Sequence, residues 1–72
     1  MRVYDVYQGE ELQASLVVQD DGRKAWQWHR HERQGQEWYD ALTTSIERAV
    51  DEDPAAERWT YQHFLIHQRR PV

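Results

Sequence analysis

The Asp21-Gly22 step lies between two segments in which apolar and polar residues alternate, and it constrains the fold more than any other feature of the chain. An Asp-Gly step tolerates the positive φ angles of a tight hairpin turn. The apolar positions of the first segment, residues 11–19, are Leu12, Ala14, Leu16 and Val18. In the second, residues 24–31, Trp26 and Trp28 share one face. Because alternation with period 2 is typical of strands, the sequence predicts an antiparallel hairpin here.

The sequence predicts a strand before this hairpin and a helix after it. Residues 2–8 are β-branched and aromatic with charged interruptions and stop at Gly9, which predicts a strand. From residue 37 the period changes to 3.6, and an amphipathic helix is predicted over residues 37–51. Its apolar arc comprises Trp38, Leu42, Ile46 and Ala49. Pro54 disfavours helical geometry in the residue before it and so ends the helix.

The last segment is open to two interpretations. Asp53-Pro54 resembles a helix start, with an N-cap followed by proline at the first helical position. Residues 58–67, however, are dense in β-forming residues and show no single apolar stripe on a helical projection. We therefore predict a strand over 58–67, preceded at most by one helical turn at 54–57, with a helix as the alternative.

These segments predict the fold class α+β, with a mostly antiparallel four-stranded sheet in the order β-β-β-α-β along the chain. The amphipathic helix would pack on one face, and the last strand would cross over to lie beside the first. We expect residues 1–72 to form one compact domain. If 58–67 is one continuous strand, the uncovered face is aromatic and rich in histidine. That face would carry Trp59, Tyr61, His63, Leu65, His29 and His31.

Composition narrows the functional classes. The chain contains no cysteine, which excludes disulfides, thiolate metal ligands and cysteine nucleophiles. Thirteen acidic residues against nine basic ones give a formal charge of -4, which disfavours broad electrostatic binding to nucleic acid. No apolar run approaches the roughly 20 residues of a membrane span, and residues 1–8 lack the apolar stretch typical of a signal peptide. We expect a cytoplasmic protein without a membrane partner, with Arg69 and Arg70 in a solvated tail.

The histidines form two spaced pairs, His29 with His31 and His63 with His67. On a helix the later pair would lie about 6 Å apart and share a metal ion, whereas on a strand it would lie about 13 Å apart. With 58–67 predicted as a strand, we predict no metal site and no cofactor. A zinc-binding protein that uses these histidines remains an alternative.

Catalysis is not indicated by any motif. The three glycines, Gly9, Gly22 and Gly35, each fall at a predicted turn rather than in a phosphate-binding loop. No metalloenzyme signature or arranged nucleophile is recognisable, so we predict a protein without enzymatic activity. Trp59 and Tyr61 on an open sheet face leave single-stranded nucleic-acid binding as an alternative, which the acidity of the chain disfavours.

The function predicted from these features is that of a small acidic protein-interaction module of the inhibitor, adaptor or antagonist type. One candidate surface is the aromatic and histidine-rich sheet face, which a second copy of the chain would cover in a homodimer. The other is the acidic arc of the helix, which would bind a basic or nucleic-acid-binding protein. This arc comprises Glu37, Asp40, Glu47 and Asp51. In size and acidity the chain resembles small phage or mobile-element inhibitors, a likeness of composition rather than of motif.

Overall fold

A computed structural model describes residues 1–29 and 36–69, with side chains from residue 39 onward in the second range. Within these residues, five strands and one helix are formed. They are β1 (Arg2–Gln8), β2 (Glu11–Val18), β3 (Lys24–Trp28), α1 (Gln36–Glu52), β4 (Arg58–Tyr61) and β5 (Phe64–Arg69). The fold class α+β with one helix is confirmed, but the sheet has five strands rather than four.

The sheet is antiparallel throughout and has the strand order β3-β2-β1-β5-β4. The hairpin predicted at Asp21-Gly22 is present, and Gly22 adopts the positive φ of 92° that favours glycine there. The crossover after the helix places β5 directly beside β1, as expected for the last strand. The first and last strands therefore lie at the centre of the sheet, and β3 and β4 form its edges.

The predicted strand over residues 58–67 is interrupted, and this correction changes which residues share a face. A turn at Gln62 and His63 separates β4 from β5, and Gln62 has a φ of 52°. The two-residue turn places Tyr61 opposite Phe64 and Trp59 opposite Ile66. Because directly paired residues project to the same face, Trp59 and Tyr61 lie on the helix side with the core. Placing them on the uncovered face was wrong.

The core lies between α1 and one face of the sheet. The helix contributes Leu42, Ile46 and Val50, spaced four residues apart and at most 2% exposed. Each side chain of this size contributes roughly 1.5–3 kcal/mol when fully buried. The strands contribute Tyr4, Val6, Ala14, Leu16, Val18, Phe64 and Ile66. The side chain of Trp38, a predicted core residue, lies outside the described part of the chain.

Tyr4 connects the sheet to the segment that follows the helix. Its buried ring packs edge to face against Trp59, with ring centroids 5.7 Å apart. Its hydroxyl donates to the carbonyl oxygen of Pro54 over 3.4 Å and accepts a hydrogen bond from Arg2. No helical turn forms over residues 54–57; Pro54 and Ala55 lie in a turn in which the Ala56 amide donates to the carbonyl of Asp53 over 3.2 Å. Tyr4 thereby fixes where the chain turns back toward β4.

Candidate functional site

One face of the sheet is not covered by the helix, and we call it the open face. Strand register places a row of polar residues across its middle, one from each strand. This row runs through Arg58, His67, Asp5, Ser15 and Gln27. Directly opposite residues in antiparallel strands project side by side on one face. We refer to this set as the polar row.

Apolar side chains border the polar row on both sides. On one side Leu65 pairs with Tyr7, and on the other Val3 pairs with Val17. All four are half-buried, although no other described element lies over them. A sheet face with apolar borders and a polar centre resembles the mixture of apolar contact and hydrogen bonding found in protein interfaces.

The centre of the polar row is a buried carboxylate whose hydrogen bonds are satisfied. Asp5 is 7% exposed and accepts a hydrogen bond of 2.7 Å from the hydroxyl of Ser15, which is 1% exposed. Arg69 donates to both carboxylate oxygens, over 3.1 Å from Nε and 2.8 Å from Nη2. A buried carboxylate is stable only when it is paired in this way. The side chain of Arg69 as a whole remains about half exposed at 55%.

The charge state of Asp5 follows from these contacts. Burial raises the pKa of its carboxyl group, but hydrogen bonds from Arg69 and Ser15 and the charge of Arg69 outweigh burial, so the pKa is lowered. Asp5 in turn raises the pKa of Arg69 through its hydrogen bonds and charge. The pair therefore remains ionised at neutral pH and adds no net charge to the open face.

His29 extends this network from the end of β3. Its Nε2 atom lies 3.1 Å from Oγ of Ser15, and its backbone amide donates to the carbonyl of Gln13 over 2.9 Å. Since Ser15 uses its only proton on Asp5, this contact requires a protonated Nε2 that donates to the serine. A nucleophilic serine needs the opposite arrangement, in which histidine accepts the hydroxyl proton. The geometry does not activate Ser15.

The structure separates the residues that the sequence placed together on the uncovered face. His29 and Leu65 lie on the open face, whereas Trp59 and Tyr61 face the helix and His63 lies in the β4–β5 turn. His67, four residues after His63, belongs to the polar row, so the later histidine pair does not converge. Within residues 1–29 and 36–69, no three His, Asp or Glu side chains are grouped as metal ligands would be. His31 lies outside the described residues.

Three of the four acidic residues predicted to form the acidic arc of the helix have described side chains. Asp40 and Asp51 are exposed, Glu47 is half-buried, and the side chain of Glu37 lies outside the described part of the chain. Asp51 forms an ion pair of 3.0 Å with Lys24 of β3. One of the acids is thus already paired within the protein.

Sequence reasoning missed Asp5 and Arg69, and it placed Ser15 on the uncovered face without giving it a role; these three residues form the network at the centre of the open face. Arg69 was expected in a solvated tail, but it belongs to β5 and binds Asp5. A signal was present in β1, where a charged residue interrupts a run of β-forming residues. A charge at a central strand position requires a partner, although the sequence does not say which residue supplies it.

The one helix in the described ranges, α1, is not long and apolar enough to cross a membrane. No protein-family model, curated protein or solved structure matched this chain.

Proposed function

We propose that this protein is a small non-enzymatic protein-interaction module and that its partner site is the open face. The observation that carries the proposal is the polar row, held in fixed geometry at the centre of a sheet face that no other described element covers. Half-buried apolar side chains border it on both sides, so a partner would gain apolar burial and directed hydrogen bonds together. An inhibitor or an adaptor would act by covering a partner surface in this way.

The helix face is the weaker candidate surface. Asp51, one of its acids, is already ion-paired with Lys24, and Glu47 is only half exposed. A solvated helix face with dispersed charges is also the ordinary way in which an amphipathic helix meets water. The open face differs because its central groups are buried and its apolar borders are incompletely covered.

The placement of the aromatic rings weakens two other predictions, which are single-stranded nucleic-acid binding and the formation of a homodimer. Trp59 and Tyr61 pack against the core on the helix side, so they offer no platform for stacking bases on the open face. The same placement removes the two largest rings from the surface that a homodimer was expected to bury. Of the described aromatic residues, Tyr7 alone has a register position on the open face.

A site-specific photo-crosslinker tests the proposal in cells that make this protein. Benzoylphenylalanine in place of Val17 puts the reactive group on the open face, and the same residue in place of the exposed Thr44 puts it on the outer side of the helix. We expect a discrete covalent adduct with a protein from the Val17 variant and none from the Thr44 variant. Adducts from the Thr44 variant alone, or from neither variant, contradict the proposal.

A further inference from the structure

We propose that the open face recognises an acidic segment of its partner, one in which carboxylate side chains alternate with aliphatic ones. This inference rests on the proposed function and adds the chemistry of the partner. The charges of the two faces support it. Among the described residues, the open face carries two arginines, Arg58 and Arg69, against one acid, Asp5. Helix residues 39–52 instead carry four acids and one base.

The arginines offer donors in a geometry suited to carboxylates. Arg69 uses Nε and Nη2 on Asp5, which leaves Nη1 and the exposed side of the guanidinium for a second acceptor. Arg58 is exposed and forms no ion pair within residues 1–29 and 36–69. Planar guanidinium groups bind carboxylates through two parallel hydrogen bonds, and a guanidinium that is already held in place loses less entropy on binding.

The dimensions of the polar row indicate the length of the segment. Five strands at about 4.8 Å spacing give a row of roughly 19 Å, which about six residues of extended chain would follow. The apolar borders lie two residues along each strand, about 6.6 Å from the row. Because alternate side chains of an extended segment project to opposite sides, its aliphatic side chains would contact one of these borders while its carboxylates project away from that border.

The same charges argue against the other occupants of this face. A second copy packed by its open face would offer Arg58 no unpaired carboxylate, because Asp5, the one acid placed on this face, is already bound to Arg69. A single-stranded nucleic acid would satisfy the arginines, but stacking requires exposed rings, and Trp59 and Tyr61 lie on the other face. The chain as a whole carries a formal charge of -4, which repels an extended polyanion more than a short acidic segment.

The test uses the full chain and three fluorescein-labelled probes. They are a peptide of about ten residues alternating Glu and Val, its counterpart with Lys in place of Glu, and a single-stranded oligothymidine of about ten nucleotides. We expect the acidic peptide to bind most tightly by fluorescence anisotropy and to lose affinity as salt is added. Tighter binding of the Lys peptide or of the oligothymidine overturns the inference.

A matched pair of charge reversals places the binding on the open face. Arg58→Glu should weaken binding of the acidic peptide by roughly tenfold, whereas Arg48→Glu on the exposed side of the helix should change it less than about twofold. Arg58→Gln, which removes the charge without reversing it, should give an intermediate loss, and circular dichroism verifies that each variant is folded. Equal effects of the Arg58 and Arg48 reversals overturn the inference.

The two proposals fail in distinguishable ways. If the acidic peptide does not bind but the crosslinker at residue 17 still gives a protein adduct, acidic recognition is wrong and the interaction module stands. If neither result is obtained, both proposals are wrong. If the adduct at residue 17 is a covalent dimer of this chain, a second copy occupies the face and the acidic segment is excluded.

Discussion

Arg69 and Asp5, separated by 64 positions in the sequence, meet on neighbouring strands in a pair with two hydrogen bonds at the centre of the open face. Asp5 is directly opposite His67, and Arg69 is opposite Val3, so the arginine reaches the carboxylate diagonally across the β1–β5 ladder. The pair therefore depends on the register that places the last strand beside the first. It both stabilises the sheet and sets the charge pattern of the open face.

Acid should weaken the fold partly through Asp5. Its pKa is lowered in the folded protein, so its ionised form contributes stability above the usual pKa of 3.8, and that contribution is lost as the pH falls through the folded value. Replacing Asp5 by Asn should lower the free energy of unfolding at neutral pH and flatten its decrease between about pH 5 and pH 2. Urea unfolding at a series of pH values measures this, and an unchanged slope in Asp5→Asn would contradict it.

Ser15 should behave as a structural hydroxyl rather than as a nucleophile. A fluorophosphonate probe should leave the native protein unlabelled, because the side chain is 1% exposed and its proton is donated to Asp5. Ser15→Ala should lower the free energy of unfolding by about 1–2 kcal/mol through loss of that hydrogen bond. Mass spectrometry detects labelling, with a known serine hydrolase as positive control. Stoichiometric modification of Ser15 in the folded protein would reverse this interpretation.

Trp59 should contribute to folding rather than to binding on the open face. Its ring packs against Tyr4 on the helix side, so Trp59→Ala should cost about 2–3 kcal/mol, less than for a fully buried ring. Thr60→Ala, one position along and on the opposite face, should change stability by less than about 0.5 kcal/mol. Chemical denaturation compares the two variants. A Trp59→Ala protein of native stability that fails to form the Val17 adduct would place this ring in the interface instead.

The turn between β4 and β5 stores backbone strain at Gln62. A non-glycine residue with a φ of 52° is disfavoured because its Cβ crowds the backbone. Gln62→Gly should therefore raise the free energy of unfolding by about 0.5–1 kcal/mol. His63→Gly is the control, since His63 lacks a positive φ and should gain nothing from glycine. Thermal unfolding measures both, and equal or lower stability of Gln62→Gly would show that the turn is not strained.

Local patterns predicted most of the elements because short-range physics determines them. The strand over residues 2–8 has the predicted bounds, the Asp21-Gly22 turn is a hairpin, and the helix extends one residue beyond the predicted 37–51 at each end. The prediction of one continuous strand over residues 58–67 was wrong because the turn uses Gln62 and His63, neither of which is a typical turn residue. One missed turn moved Trp59 and Tyr61 to the opposite face.

By itself, the sequence determined the α+β class, the first three strands, the helix and the buried face of the second strand, because alternation and helical periodicity are local properties. Tertiary structure decided which distant residues became neighbours. The β1–β5 register brought Arg69 to Asp5, and the β2–β3 register aligned Ser15 with Gln27. Pairing between strands depends on long-range packing that no local pattern encodes, and the polar row exists only through that pairing.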